Sequence, residues 1–101
     1  MSEPESVTVS YFGAIQSLVP RRVEAVTLSA RSTVRSVLEA LAARHGAAIT
    51  EALVGPDGDL LPNTLLMLNG SNVLHREGLE TVVEAGAALR VVVLPAFTGG
   101  G

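Results

Sequence analysis

Near its C-terminal end the chain carries the apolar run Ala-Leu-Arg-Val-Val-Val-Leu, residues 88–94. Its valines favour extended backbone, and seven residues are too few for a typical core helix. A nearly unbroken apolar run of this length is typical of a strand buried on both faces in the centre of a sheet. Pro95 should end the strand, because proline has no N–H to donate to a neighbouring strand. The chain is therefore expected to build a sheet around its own last strand.

Other segments predict the remaining strands. Residues 21–28 are rich in β-branched side chains and are the simplest hairpin partner for a first strand at residues 6–12. Residues 64–70 predict a third strand that ends in an Asn-Gly reversal, and a short edge strand is expected near Val73. In the first strand, alternation places Val7, Val9 and Tyr11 on one face and Thr8, Ser10 and Phe12 on the other.

Residues 31–46 predict one amphipathic helix. Ser32 or Thr33 can cap its first turn, and Gly46 is suited to end it. Residues 49–55 are expected to be a short helix or turn, followed by a loop. The main helix has one apolar stripe, formed by Val34, Val37, Leu38 and Leu41.

A helix with one apolar stripe needs a sheet to cover, which gives an α+β fold class. We expect a mixed sheet of four to five strands with one main helix packed across it. The last strand should be central and parallel to the first. We expect one domain, residues 6–95, between a flexible lead at residues 1–5 and a flexible tail at residues 96–101.

The composition argues against several classes of chemistry. The chain has no cysteine, which excludes thiolate nucleophiles and cysteine-ligated metals. All seven basic residues are arginines and form no stripe, so we expect no nucleic acid partner. His45 and His75 lack a metal-binding spacing, so we expect no catalytic residue and no metal site. There is no signal-peptide pattern and no apolar run near the ~20 residues that span a bilayer. We expect a cytoplasmic protein that does not enter a membrane.

The chain ends in Leu-Pro-Ala-Phe-Thr-Gly-Gly-Gly, residues 94–101. Seven residues after Leu94 can extend roughly 20–25 Å. Glycine has no Cβ, so such an end can enter a channel that excludes other residues. A free carboxylate is a poor acyl donor, so it becomes reactive only if another enzyme activates it. Taken alone, terminal glycines are equally consistent with a frayed end.

Taken together, these segments resemble the ThiS/MoaD-type family of ubiquitin-like sulfur carrier proteins, which includes the thiamine-pathway carrier and the small subunit of molybdopterin synthase. The resemblance covers roughly residues 6–101. It is carried by the helix STVRSVLEALAARHG, the strand LLMLNGSNV, the segment GLETVVEAGAALRVVVLP and, above all, the end LPAFTGGG. It implies the β-grasp, or ubiquitin-like, fold.

The resemblance also implies a function. An E1-like enzyme uses ATP to adenylate the terminal glycine carboxylate, a sulfur donor converts it to a thiocarboxylate, and a synthase accepts the sulfur. The chain is then a carrier, not an enzyme, and binds no cofactor itself. The attachment site is Gly101, or Gly100 if one residue is trimmed. The part that enters a partner's active site is Thr98, Gly99, Gly100 and Gly101, and the expected docking residues are Leu94, Pro95 and Phe97.

Several alternatives stay open on the sequence. The same glycine could join the protein to lysines of targets, as in a ubiquitin-like modifier. The chain could also be a β-grasp interaction module with an inert tail. The metabolite that receives the sulfur is not specified: molybdopterin, cysteine, thiazole and other thio-metabolites all fit. We expect a monomer that binds its partners transiently.

Overall fold

The computed structural model describes residues 5–29 and 31–94. Three short 3-10 helices, at Ala14–Leu18, Val73–His75 and Gly78–Glu80, connect the other elements. Those elements are strand β1 (Ser6–Gly13), strand β2 (Val23–Thr27), helix α1 (Val34–His45), helix α2 (Ala48–Leu53), strand β3 (Thr64–Leu68), strand β4 (Ser71–Asn72) and strand β5 (Ala88–Val93).

The five strands form one mixed sheet in the order β2-β1-β5-β3-β4. Strand β5 is central and runs parallel to β1, while its other neighbour, β3, is antiparallel. Strands β1 and β2 form the expected antiparallel hairpin, and β3 and β4 are joined by a reversal at Asn69 and Gly70. Both reversal residues have positive φ, 51° and 84°, as a two-residue turn requires. The predicted fold class and the central position of the last strand are confirmed.

Helix α1 begins where the sequence placed it. Thr33 is the N-cap: its hydroxyl accepts the N–H of Ser36, and the Ser36 hydroxyl accepts the N–H of Thr33 at 2.7 Å. The Ser32 hydroxyl instead accepts the N–H of Ser29 and donates to the carbonyl of Ser29. Gly46 ends the helix with φ of 108°. The predicted apolar stripe is buried in full, so α1 covers one face of the sheet: Val34, Val37, Leu38 and Leu41 are each at most 3% exposed.

The prediction that the last strand is buried on both faces is wrong. Leu89, Val91 and Val93 point into the core, but Ala88 and Arg90 are exposed. The cause is the number of layers. The helices pack on one face of the sheet, so the opposite face of β5 has no cover among the described residues, although its neighbours on both sides are strands.

A polar cluster ties the end of α1 to the edge strand β2. Glu24 accepts a hydrogen bond from Tyr11 Oη at 2.5 Å, from Arg44 Nη1 at 2.6 Å and from His45 Nε2 at 2.6 Å. Since a carboxylate can only accept, each of the three partners is the donor. Arg44 also donates to the carbonyl of Ala25 at 3.0 Å. Burial raises the pKa of Tyr11 strongly, and its hydrogen bond to Glu24 adds to that rise.

This cluster gives an acid-sensitive contribution to stability. Burial would raise the pKa of Glu24, but hydrogen bonds from Tyr11, Arg44 and His45 outweigh it and hold the pKa below its ordinary value of 4.5. A carboxyl with a lowered folded-state pKa stabilises the fold above its unfolded pKa and loses that contribution as the pH falls through the folded pKa. We expect the free energy of unfolding to fall below about pH 4.5.

The Glu24→Gln variant tests this contribution because it keeps the shape of the side chain and removes its charge. We expect it to lose about 1–3 kcal/mol at neutral pH and to show a flatter decline towards about pH 3. Urea unfolding across that range measures both quantities. Glu51→Gln, at an exposed position of helix α2, is the control and should retain the wild-type profile. A Glu24→Gln profile parallel to the wild type would contradict this explanation.

Candidate functional site

The candidate site lies where β5 ends and the chain continues towards its glycines. Leu94 is the last described residue, and Asn63 holds it by two hydrogen bonds. The N–H of Leu94 donates to the carbonyl of Asn63 at 2.8 Å, and Asn63 Nδ2 donates to the carbonyl of Leu94 at 3.0 Å. The β3–β5 pairing is therefore extended by one residue beyond its last strand pair, Thr64 with Val93.

Gly13, the last residue of β1, lies on the other side of the same strand end. Its φ of 78° and ψ of −149° lie in a region open essentially to glycine alone. A Cβ built on Gly13 would overlap the carbonyl oxygen of Val93. Gly13 pairs with Val93 in the parallel β1–β5 ladder, so only glycine allows this close approach. The end of β5 is thus fixed between Gly13 and Asn63.

An apolar surface lies beside this strand end on the uncovered face of the sheet. The register places Phe12, Val92 and Leu65 side by side across three strands. Phe12 is 42% exposed and Leu94 is 51% exposed, while Val92 and Leu65 are half-buried. Alternation along β5 places Leu94 on the same face as Val92. We call these four side chains, Phe12, Leu65, Val92 and Leu94, the open-face patch.

The predicted docking and attachment residues fall at and beyond this point. Of the docking residues, Leu94 is described and exposed, and it belongs to the open-face patch. Pro95 and Phe97 lie outside the described residues, as do the predicted tail residues Thr98, Gly99, Gly100 and Gly101. Their roles therefore stay predictions.

Three patch residues, Phe12, Leu65 and Val92, were not predicted from the sequence, and neither were Gly13 and Asn63, which fix the strand end. One signal was present: Phe12 is a large aromatic residue on a face whose other members, Thr8 and Ser10, are polar. A single exposed aromatic residue is an ordinary surface feature, and Phe12 becomes informative only as part of a contiguous apolar patch. No comparable signal marked Asn63, because its contact with Leu94 spans 31 positions of sequence.

Within residues 5–29 and 31–94, no group of three or more His, Asp or Glu side chains is placed to hold a metal ion. No helix in the same ranges is long and apolar enough to cross a membrane.

The sheet order, the single main helix and the site at the end of the last strand define a ubiquitin-like β-grasp protein. A family model described as the ThiS family matches residues 9–100. The chain belongs to the ThiS family. A search of curated proteins found no match.

Solved structures with the same fold include a small archaeal modifier protein, SAMP1, and proteins named CysO. SAMP1 from Haloferax volcanii is 25% identical, with 94% of this chain and 99% of that chain covered and a TM-score of 0.73. A chain of the Amycolatopsis orientalis BexX/CysO complex is 25% identical, with 90% and 98% covered and a TM-score of 0.74. Mycobacterium tuberculosis CysO is 26% identical, with 88% and 99% covered and a TM-score of 0.69.

Proposed function

We propose that the chain is a ubiquitin-like sulfur carrier whose reactive group is the carboxylate of Gly101. In the first step this carboxylate attacks the α-phosphorus of ATP on an E1-like partner, and pyrophosphate leaves. In the second step a sulfur donor at the oxidation level of sulfide attacks the acyl carbon, and AMP leaves. The product is a thiocarboxylate, and a synthase transfers its sulfur to a small molecule.

The observation that carries this proposal is the ThiS family match, which extends through Gly100 and so includes most of the glycine end. The fold supports it, because Leu94, the residue that follows the central strand β5, is exposed. The composition supports it too: without cysteine the chain has no thiol on which to carry sulfur. The chain is then a co-substrate and not an enzyme. ATP and the sulfur donor belong to its partners, and we place the reaction in the cytoplasm, where ATP is available.

Adenylation tests the proposal directly. With an E1-like partner and ATP, the full-length chain should stimulate the exchange of labelled pyrophosphate into ATP. The reverse of the first step requires an acyl adenylate, so this exchange reports its formation. No exchange above that of the partner alone, with a partner that adenylates another family member, would reject the proposal.

We further propose that the open-face patch docks on the partner proteins, together with Pro95 and Phe97. Apolar side chains grouped on a surface and rimmed by polar residues are characteristic of protein interaction sites. The patch also adjoins the strand end from which residues 95–101 continue, so a partner seated on it would lie close to the tail. The partners are the E1-like enzyme and the sulfur-accepting synthase, which bind the monomer in turn.

Replacing the aromatic member of the patch should weaken docking without unfolding the protein. We expect Phe12→Ala to raise the Kd for the E1-like partner about 10-fold or more, because truncation removes the largest exposed apolar side chain of the patch. Calorimetric titration measures the affinity. Leu74→Ala is the matched control, since Leu74 is 63% exposed but lies outside the patch. Equal affinities for Phe12→Ala and the wild type would remove Phe12 from the interface.

The second candidate function is a protein modifier joined to target lysines through the same adenylated glycine. The similarity to SAMP1, a small archaeal modifier protein by name, favours it. The chain has no lysine and so cannot form side-chain-linked chains of itself, although single conjugation is open to it. Denaturing immunoblots of cells distinguish the two: a ladder of larger species supports the modifier, and one free species supports the carrier.

A further inference from the structure

Strand β3 is flanked by two asparagines, and each ties β5 to the sheet by a side-chain hydrogen bond. At the far end, Asn69 donates its N–H to the carbonyl of Ala88 at 2.8 Å, and its Oδ1 accepts the N–H of Ala88 at 2.9 Å. At the near end, Asn63 accepts from and donates to Leu94 as described above. The two asparagines hold opposite ends of the same strand.

The near-end contact has a property that the far-end contact lacks. Leu94 is followed by Pro95, which has no N–H, so the next residue cannot add a donor to the ladder. The carbonyl of Leu94 belongs to the peptide bond that leads into residues 95–101. Asn63 Nδ2 binds this carbonyl and therefore fixes the plane of the Leu94–Pro95 peptide.

The peptide plane sets the direction in which the chain leaves the domain. Proline's ring restricts its own φ wherever proline occurs, so the sequence itself limits the conformational freedom of residue 95. Gly13, packed against the carbonyl of Val93, restricts the same strand end from the other side. In the sequence, six residues follow Pro95, and three of them are glycines.

We propose that Asn63 is a positioning residue for the C-terminal tail, which directs the terminal carboxylate towards the active site of a docked E1-like partner. The proposal rests on the proposed function. Once the body has docked, entry of the tail is an intramolecular step whose yield depends on the effective concentration of the carboxylate in that active site. Releasing the Leu94 carbonyl enlarges the volume that the carboxylate samples and lowers this concentration.

Two substitutions at Asn63 and one at Asn69 test this role. Asn63→Asp keeps the shape of the side chain but replaces the donor nitrogen by an oxygen, and Asn63→Ala removes the side chain. Asn69→Ala removes the corresponding contact with Ala88, and since Asn69 has φ of 51°, it also strains the turn. Asn69→Ala should therefore be at least as destabilising as either change at Asn63.

Steady-state adenylation at a temperature well below every unfolding midpoint is the first readout. We expect kcat to fall about 3- to 10-fold in both Asn63 variants with KM for the carrier unchanged, since docking precedes tail entry. Asn69→Ala should keep kcat within about two-fold of the wild type. Unchanged kcat in the Asn63 variants, or an equal fall in Asn69→Ala, would overturn the proposal.

Amide hydrogen exchange at Leu94 is the second readout and needs no partner. Both Asn63 variants should exchange the Leu94 N–H about 10-fold faster than the wild type, while Asn69→Ala should leave it unchanged. An unchanged rate of Leu94 exchange in the Asn63 variants would overturn the claim that Asn63 restrains the end of β5. A wild-type chain that is not adenylated would instead contradict the proposed function, and Leu94 exchange would still decide the role of Asn63.

Discussion

Deletion of Gly100 and Gly101 should abolish adenylation and sulfur loading while leaving the fold intact. The deletion removes the carboxylate that we propose to react and shortens the reach of the tail by about 7 Å. The two residues lie seven and eight positions beyond the last residue of β5, so the buried core is unchanged. Pyrophosphate exchange measures adenylation, and thermal unfolding monitored by circular dichroism checks the fold.

Two related variants identify the reacting residue. Deletion of Gly101 alone leaves Gly100 as the terminus, and we expect activity to fall because the reach is shorter by one residue. Addition of one alanine after Gly101 keeps every native residue but converts the Gly101 carboxylate into the carbonyl of a peptide bond. It should block the reaction unless a protease trims the added residue. If the pathway that depends on this protein still runs in cells with the double deletion, both acyl-transfer functions are rejected and the interaction module remains.

Replacement of Gly13 by alanine should have the largest effect on stability of any single change at the site. The new Cβ would overlap the Val93 carbonyl oxygen, and φ of 78° with ψ of −149° is strained for any other residue. We expect a loss of about 3 kcal/mol or more in the free energy of unfolding, measured by urea denaturation.

Gly86→Ala is the matched control for this change. Gly86 also has a positive φ, 85°, but a Cβ there meets no atom within 4 Å. Its loss should therefore reflect backbone strain alone, about 1–2 kcal/mol. Similar losses for the two variants would mean that the close approach to Val93 contributes nothing beyond strain at φ.

The sequence predicted the elements whose causes are local. The stripe of α1, its cap at Ser32 or Thr33 and the Asn69–Gly70 turn each depend on residues within a few positions of one another. The structure confirms all three, with Thr33 as the cap. The parallel pairing of β1 with β5 also followed, because a central last strand needs a neighbour on each side.

The wrong prediction that β5 is buried on both faces has a physical cause. Ala88 and Val92 are compatible with burial, so the composition of the run could not indicate that only one face of the sheet is covered by helices. The exposed Arg90 in the middle of the run was the contrary signal, since an unpaired buried charge is costly.

The features of the site depend on register, and a single sequence does not reveal register. Phe12, Val92 and Leu65 become neighbours only because three strands pair as they do. Gly13 and Asn63 are likewise 80 and 31 positions from the residues that they contact. The terminal glycines are adjacent in the sequence, so they could be singled out without any knowledge of strand register.

The central claim is that sulfur is carried on the C-terminal carboxyl group. The most direct test is intact-mass measurement of the full-length chain after incubation with its E1-like partner, ATP and a sulfur donor, followed by fragmentation to locate the change. The expected result is a gain equal to one sulfur replacing one oxygen, confined to Gly101 and absent without ATP. An unchanged mass under conditions that load another family member, or a modification located elsewhere in the chain, would contradict the claim.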